Sequence, residues 1–204
     1  MQTRGEVLHD EPYFPLLHPA GDQVAQMFRS GPDEGSESVR LMYLLAIAAA
    51  ERRIRLMNSY FVPDHLAIAT FLEARERGVE VDIIVPGPHI DAHVTRRASR
   101  SLWEPLLEAG VRIYEYQPTM MHAKVMVVDG VWVSVGSTNF DNRSFRLNDE
   151  ANLNVCDSGL AEYLERMFAQ DLERCEEVTL EQWRNRPWKD KLRERAAKIV
   201  RGQL

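Results

Sequence analysis

The stretch MHAKVMVVDGVWVSVGSTNFDNRSFRLNDE, residues 121–150, concentrates side chains that could hold and attack one phosphate group. An imidazole can act as nucleophile or proton donor, while ammonium, hydroxyl and amide groups can bind the phosphate oxygens. Taken singly, a histidine in a strand, a surface lysine and a GST loop usually have structural roles, so the prediction depends on their being brought together. The residues in question are His122, Lys124, Ser137, Asn139 and, further along, Glu150.

A predicted β-hairpin would bring these side chains together. The runs AKVMVV and VWVSV flank an Asp-Gly pair at residues 129–130, which is a strong signal for a two-residue turn. A turn of that length places His122 directly opposite Ser137. Because side chains alternate along a strand, His122, Lys124 and Ser137 would share one face, and Asn139 would continue that face beyond the strand end.

The stretch contains a single histidine, although transfer of a phosphodiester needs two positioned acid or base groups. The other histidines are His9, His18, His65, His89 and His93, and none of them is followed by lysine two residues later. His89 and His93 have the spacing of a possible metal pair, but no third ligand stands at a recognisable distance in the sequence.

From His122 to Asn139 the sequence fits, without mismatch, the HxKxxxxDxxxxxxGSxN signature of the phospholipase D superfamily. The following FDNRSFRLNDEANL looks most like bacterial cardiolipin synthases of that superfamily, as do SGPDEGSESVRLMYLLAIAAA, YFVPD and VPGPHIDAHVTRRASR. The resemblance covers nearly the whole chain. It implies phosphatidyl transfer between phospholipids, as in cardiolipin synthesis, on a phospholipase D-like α/β fold.

The resemblance also implies a role for each of the gathered side chains. His122 would attack phosphorus or protonate the leaving alcohol, while Lys124 and Asn139 would bind the non-bridging oxygens with support from Ser137. Glu150 would hold the histidine ring through its other nitrogen, which fixes the tautomer and stabilises the imidazolium. No metal or other cofactor is implied, because the protein supplies the cations.

Three further residues are candidates on weaker grounds. Asp129 occupies the acidic position of the signature and is a candidate catalytic residue, although the hairpin turn alone would explain it. Tyr60 and Phe61 follow a predicted strand and are candidates for lining a lipid pocket. Packing at the end of that strand is an equally good explanation for both.

Relatives of this kind usually carry two such motifs in one chain, which form a single site between two similar halves. Only one motif occurs here, so the chain is expected to be the second half, with residues 1–22 as a connector from a missing first half. The partner half would be the N-terminal half of a longer chain or a homodimer partner. Because the second-half histidine usually serves as the acid, we expect that role for His122.

The predicted reaction is the metal-free transfer of a phosphatidyl group from one phospholipid to a glycerol-type alcohol. A phosphohistidine intermediate would divide the transfer into two steps. Hydrolysis differs only in the acceptor, so a phospholipase or a nuclease stays open as an alternative. A non-catalytic half that binds lipid or a partner protein also stays open.

The remaining sequence predicts elements that would position this stretch. Helical segments near residues 36–53, 64–77 and 91–109 alternate with β-branched runs, which is typical of an α/β sheet. We therefore predict a mixed sheet of about six or seven strands between helices. This phospholipase D-like half would extend over residues 23–178.

Composition limits the possible classes of protein. Of the 204 residues, 45% are apolar and 27% charged, which is typical of a globular protein. Two cysteines without a CxxC pattern argue against a zinc site and a disulfide framework. The longest apolar run, LMYLLAIAAA, is too short for a membrane span of about 20 residues. We expect a cytoplasmic protein that is peripheral on the inner face of the membrane.

The charge is unevenly distributed along the chain. The net charge is −6, which disfavours nucleic acid as a partner. Residues 179–204 nevertheless form a basic segment, and its apolar residues are near helical spacing. This segment is expected to bind an anionic membrane surface as an amphipathic helix, or to pack onto the domain with a solvated basic face. The apolar residues are Trp183, Trp188, Leu192, Ala196 and Ile199.

Overall fold

The computed structural model describes residues 15, 16, 18, 20–32, 37–192 and 194. Eight strands occur among them: β1 Val24–Ser30, β2 Arg53–Asn58, β3 Glu80–Pro86, β4 Arg112–Tyr116, β5 Lys124–Val128, β6 Trp132–Gly136, β7 Glu150–Cys156 and β8 Cys175–Glu177. They form one sheet in the order β1-β7-β6-β5-β2-β3-β4-β8. Strands β2, β3 and β4 are parallel and the other neighbours antiparallel. The predicted α/β fold with a mixed sheet is confirmed, with eight strands where about six or seven were expected.

The described residues also form seven helices: α1 Ser38–Ala49, α2 His65–Glu76, α3 His93–Arg100, α4 Trp103–Glu108, α5 Asn142–Arg146, α6 Ser158–Leu172 and α7 Leu180–Asn185. Side-chain caps begin several of them. Asp64 caps α2, Asp157 caps α6, and Thr179 forms a capping box with Gln182 at α7. The single helix predicted over residues 91–109 is in fact two helices, α3 and α4.

Helices cover both faces of the sheet. The main hydrophobic core lies on the face covered by α1, α2, α4 and α7, where Tyr43, Phe71 and Trp103 are fully buried. Helix α6 covers part of the opposite face and contributes Phe168 to a smaller cluster. Alternation along β5 follows from this arrangement, because Met126 joins the main core while Val127 packs towards α6.

The strand order gathers polar residues at one end of the sheet. Strands β1, β2 and β6 finish there at Ser30, Asn58 and Gly136, while β5 and β7 begin there at Lys124 and Glu150. We call this end of the sheet the polar edge. Strand β5 lies between β6 and β2, so the signature stretch occupies the centre of that edge.

The hairpin between β5 and β6 contains one residue more than predicted. Asp129 and Gly130 both have positive φ, at 55° and 69°, and the Val131 N–H donates to the Val128 carbonyl at 3.1 Å. These features belong to the expected two-residue turn. Strand pairing nevertheless resumes with Trp132 opposite Val128, so Val131 is an extra, bulged residue.

This bulge shifts the register of the whole hairpin by one residue. Val125 lies opposite Val135, and the same register carries Thr138 to the position opposite His122. The prediction that His122 lies directly opposite Ser137 is therefore wrong. Since a shift of one residue moves a side chain to the other face, Ser137 does not reach the site by strand pairing with His122.

The C-terminal segment packs against the domain in its first part. Trp183 is buried, its indole N–H donates to the Arg100 carbonyl at 3.2 Å, and Arg186 stacks over its ring. Glu194 is also buried and pairs with Arg100 and Arg186 at 3.2 and 2.7 Å. The packing alternative thus applies to Trp183, whereas Trp188 and Leu192 are exposed. Ala196 and Ile199, like most of the predicted connector 1–22, lie outside the described residues.

Within the described part of the chain, no helix has the length and apolar character needed to cross a membrane.

Candidate active site

The first residue of β5, Lys124, is buried at the polar edge. Its pairing partner on β2 is Asn58, and its ammonium donates to Ser59 Oγ at 3.0 Å and to the His122 carbonyl at 3.2 Å. Only 6% of the residue is exposed to solvent. A cation held in this way has a fixed position, which suits binding of a single anionic group.

The electrostatic environment of Lys124 combines burial with three nearby carboxylates. Burial lowers the pKa of its ammonium below the usual lysine value, and the negative charges of Glu150, Asp141 and Asp91 oppose that change. The carboxylates therefore favour the charged form of the lysine, although burial outweighs them. The polar edge is thus a mixed-charge site.

The His122 ring lies beside the Lys124 ammonium. The Nζ atom is 3.2 Å from Nδ1 and 3.1 Å from Nε2. A point in the ring plane at such similar distances would collide with Cε1, so the ammonium lies over the ring face. Tyr60 meets the ring edge-on, with centroids 6.2 Å apart. The in-plane directions of both ring nitrogens therefore stay available for a phosphorus atom, a proton or an acceptor.

Asn139 lies just beyond β6 and is nearly buried. Its Nδ2 donates to Ser144 Oγ at 3.3 Å, while its Oδ1 is buried and unpaired among the described residues. The oxygen and nitrogen of an amide are interchangeable by a flip. In the flipped orientation Ser144 would donate to Oδ1, and the free N–H donors would suit an anionic oxygen.

Asp141 is a buried carboxyl close to these groups. It caps α5 by accepting the Ser144 N–H at 2.7 Å. Burial raises its pKa to about 6; the Ser144 N–H works against this rise, and the negative charge of Glu150 adds to it. Asp141 is therefore a second titratable group near Lys124 that sequence reasoning missed. Its position three residues before Ser144, at the start of a short helix, is the capping signal that could have identified it.

The loop that carries Asn139, residues 137–140, is fixed by buried amide side chains. The Phe140 N–H donates to Asn58 Oδ1 at 2.9 Å, and Asn58 Nδ2 donates to the Thr138 carbonyl at 3.4 Å. On the other side, the Thr138 N–H donates to Asn152 Oδ1 at 3.4 Å. A Cβ on Gly136 would approach that oxygen to 2.3 Å, so only glycine fits there. Neither Asn58 nor Asn152 was a sequence candidate.

Ser137 and Glu150 are hydrogen-bonded to each other. The Ser137 hydroxyl donates to the Glu150 carboxylate and accepts the Ala151 N–H at 3.1 Å. Glu150 also accepts from Asn148 Nδ2 at 3.2 Å. In the described residues its hydrogen bonds thus go to these neighbours, rather than to the His122 ring as the resemblance implies. The pair lines a groove of about 570 Å³ together with Arg29, Ser30, Gly31, Asp149 and Ala151.

Asp129 lies at the opposite end of β5 from Lys124, so the structure does not bring it to the other candidates. Its carboxylate accepts the backbone N–H groups of Glu51, Arg52 and Arg53 at 2.8–2.9 Å. Burial alone would raise the pKa of Asp129, but these hydrogen bonds outweigh it, and the pKa lies below its usual value. Asp129 therefore joins the hairpin to the loop between α1 and β2.

We expect Asp129→Asn to cost about 1–2 kcal/mol of stability, because an amide cannot replace all of these carboxylate hydrogen bonds. Turnover of the folded enzyme should stay close to wild type. Since the folded pKa is lowered, the carboxylate stabilises above its ordinary pKa, and this stabilisation is lost as the pH falls through the lowered value. Thermal unfolding against pH should therefore show the two proteins converging in acid. Equal stability of both at neutral pH would contradict this role.

The two aromatic candidates differ in their placement. Tyr60 contacts His122 and donates its hydroxyl to Asp91 at 2.7 Å. Burial and the adjacent Asp91 raise the pKa of this phenol to about 12. Phe61 is instead fully buried against Phe71 and Phe140. This placement agrees with packing at the end of the strand rather than with lining a lipid pocket. Within the described ranges, no group of three or more His, Cys, Asp or Glu residues is arranged to hold a metal ion.

Solved structures with the same fold differ in the share of their own length that this chain covers. Nuc from Salmonella typhimurium, a phospholipase D family member, superposes with a TM-score of 0.66 at 23% identity, over 78% of this chain and 99% of Nuc. The phosphatidylserine synthase of Haemophilus influenzae superposes with a TM-score of 0.70 at 17% identity, over 88% of this chain and 47% of the synthase. At these identities the likeness shows the fold.

Sequence comparisons show the family. The cardiolipin synthase, PLD-like domain model matches residues 43–172. Cardiolipin synthase A of Pseudomonas putida is 36% identical over 91% of this chain, and cardiolipin synthase 2 of Staphylococcus epidermidis is 33% identical over 97%. The chain spans only 38–40% of the length of these relatives. The buried Lys124 and the exposed His122 beside it thus stand in a domain of known kind, and the chain belongs to the cardiolipin synthase family of phospholipase D-like domains.

Proposed function

We propose that this chain supplies one of two halves of an enzyme that transfers a phosphatidyl group from one phospholipid to a glycerol-type alcohol. The observation that carries the proposal is the buried Lys124 ammonium against the face of the His122 ring, at the centre of the polar edge. This arrangement places a cation beside an imidazole whose two nitrogens are accessible in the ring plane. Family membership gives the reaction its class.

The reaction would proceed in two displacements at phosphorus. In the first, one histidine forms a P–N bond, the P–O bond to the leaving alcohol breaks, and the second histidine gives that alcohol a proton. In the second displacement, the histidine that gave the proton now removes a proton from the acceptor alcohol. The alcohol oxygen attacks phosphorus as the P–N bond breaks. We assign the proton-transfer role to His122, so the nucleophile would come from the other half.

The remaining site residues would stabilise charge on the phosphate and position the histidine. Lys124 and Asn139 would bind the non-bridging oxygens, which carry additional charge as the new bond forms. Ser137 and Glu150 form a hydrogen-bonded pair on the same edge. We propose that Glu150 orients the His122 ring once the two halves are assembled, with Ser137 in support. Because the protein supplies the cations, the proposed steps need no cofactor.

The need for a second half follows from the single histidine of the motif. One imidazole cannot both bond to phosphorus and protonate the leaving oxygen on the opposite side, and acid–base help is typically worth ~10²–10⁴-fold. More than half of each curated relative lies outside the match, which leaves room for a second domain. The partner half would be that domain in a longer chain or a second copy of this one.

A row of exposed apolar side chains on neighbouring strands suits packing of the second half against this domain. Met27 on β1 pairs with Leu153 on β7, which pairs with Val135 on β6, and all three are exposed. Val135 and Leu153 are each two positions along the chain from Ser137 and Ala151, which lie at the polar edge. A domain packed on the row would therefore reach that edge. A two-fold arrangement would make this surface self-complementary.

The proposal is tested by assaying the purified chain for transfer and association together. We expect phosphatidyl transfer from phosphatidylglycerol to accompany a dimeric mass in light scattering, or to appear on adding a first-half domain. Leu153→Glu should weaken association and reduce turnover at least ~10²-fold, because burying an unpaired charge is costly. Leu45→Glu, on the exposed side of α1, is the matched control.

The products and the mass distinguish the alternatives. A strict monomer with full turnover would exclude the two-histidine account. Release of phosphatidic acid or cleavage of nucleic acid, without transfer to an alcohol, would favour a hydrolase. Association and lipid binding without any turnover would favour a non-catalytic half.

A further inference from the structure

Three large apolar side chains are exposed around the polar edge. Leu66 in the first turn of α2 is 53% exposed, Val94 in the first turn of α3 is 48% exposed, and Leu147, just after α5, is 62% exposed. Each belongs to a segment that follows a site-bearing strand or loop. None of the three contributes to the hydrophobic clusters of the domain.

Ion pairs and apolar packing join these segments into one surface. Arg146 at the end of α5 pairs with Glu37 at 2.8 Å, and Arg40 pairs with both Glu37 at 3.2 Å and Asp64 at 2.6 Å. The end of α5, the start of α1 and the start of α2 are therefore adjacent. Beyond them, Ala98 of α3 packs in a small cluster with Val62 and with Ile68 of α2, which places the first half of α2 next to α3.

Cations accompany the apolar side chains. Arg97 on α3 and Arg143 on α5 are exposed, and neither forms an ion pair with the described residues. Two carboxylates in the neighbouring segments, Asp91 and Asp149, are also exposed, and Asp91 accepts a hydrogen bond from Tyr60. The surface is thus near balance in charge, with guanidinium groups free for phosphate.

We propose that Leu66, Val94 and Leu147, with Arg97 and Arg143, form a rim that contacts a phospholipid bilayer. Single apolar residues inserted among arginines suit the boundary between acyl chains and headgroups, where the guanidinium groups meet lipid phosphate. A lipid headgroup could then reach His122 while its acyl chains stay in the membrane. The inference rests on the proposed phospholipid substrate.

The C-terminal segment is a weaker candidate for the same contact. Arg184 pairs with Glu104 and Glu108, and Arg186 pairs with Glu194, so these two charges are compensated within the domain. Lys189 is exposed without an ion pair among the described residues, but no described contact joins it to the polar edge. A basic surface attracts anionic lipid through charges that remain free. The rim has such charges beside the site, and we therefore assign the bilayer contact to the rim.

The test measures binding of the intact chain to vesicles separately from turnover. Phosphatidylglycerol–phosphatidylcholine vesicles are sedimented with wild type and with the triple variant Leu66→Ser, Val94→Ser, Leu147→Ser. We expect the triple variant to bind at least ~10-fold more weakly, since each lost apolar side chain removes part of the insertion energy. Arg97→Gln and Arg143→Gln should each weaken binding to these vesicles roughly fivefold. On pure phosphatidylcholine vesicles, the difference in binding between these arginine variants and wild type should be smaller.

The controls separate this inference from the proposed function. Leu45→Ser, Val131→Ser removes two exposed apolar residues away from the rim, on α1 and in the β5–β6 turn, and should bind vesicles like wild type. Turnover of the assembled enzyme on a short-chain substrate below its micelle concentration should be unchanged in the triple variant. Wild-type vesicle binding by the triple variant would overturn the rim, as would a loss of binding that coincides with a smaller mass in light scattering. Loss of vesicle binding on deleting residues 195–204, with the triple variant unaffected, would also overturn it.

Discussion

Replacing His122 with alanine should reduce phosphatidyl transfer by the assembled enzyme at least ~10³-fold, within the range of acid–base catalysis. The ring lies against the Lys124 ammonium, and its two nitrogens are accessible in the ring plane, so the substitution removes the group that we assign to proton transfer. Circular dichroism should show an intact fold. His18→Ala, which removes an exposed histidine, is the matched control.

Assaying the His122→Ala protein with a second substrate distinguishes whether His122 is the general acid or the nucleophile. A phosphodiester with a nitrophenol leaving group needs no proton to depart, so an enzyme lacking only its acid should regain turnover of the first step. If His122 forms the P–N bond, the His122→Ala protein should stay inactive on the activated substrate as well. Retained transfer of ordinary phospholipid by His122→Ala would refute any catalytic assignment for this residue.

Replacing Lys124 with methionine should lower kcat at least ~10²-fold, the scale of one donor to a developing negative charge. Methionine matches the apolar stem of lysine, and burial disfavours the charged form of Lys124 despite the nearby carboxylates. We therefore expect the melting temperature to stay the same or to rise while turnover falls. Asn139→Ala should show a similar loss of kcat.

The pH profile provides an independent check on Lys124. Burial lowers its pKa, so the alkaline limb of turnover should begin below the pH expected for an ordinary lysine. An acidic limb near pH 6 would report Asp141, whose pKa is raised to about that value. Wild-type kcat in Lys124→Met, with the same alkaline limb, would exclude Lys124 from phosphate binding.

The sequence predicted the elements well wherever capping and periodicity agreed. The helical segments predicted near residues 36–53 and 64–77 are present as α1 and α2, and Asp64 caps the start of α2. The predicted helix of residues 91–109 is interrupted near Ser101. Strand β8 was missed because three polar residues show no alternation, and α5 because five residues are too few for a helical period.

The site was predictable as a set of residue types but not as a geometry. One bulged residue, Val131, was enough to displace Ser137 from its predicted partner. Asn58 and Ser59 were invisible to sequence reasoning, because only the adjacency of β2 and β5 brings them to Lys124. The same holds for the backbone groups that bind Asp129, since no local pattern couples that turn to the start of β2.

The central position of β5 has a consequence for how the chain folds during synthesis. Lys124 and Ser59, which meet in the structure, are 65 positions apart in the chain, and β1 pairs with β7 alone among the described strands. Contacts of such separation carry a large loop-closure cost and form slowly. While β2 and β3 emerge from the ribosome, β1 has no partner strand, so its backbone edge and the exposed Met27 stay open to other chains. We therefore expect the nascent chain to expose the edge of β1 until β7 has been made.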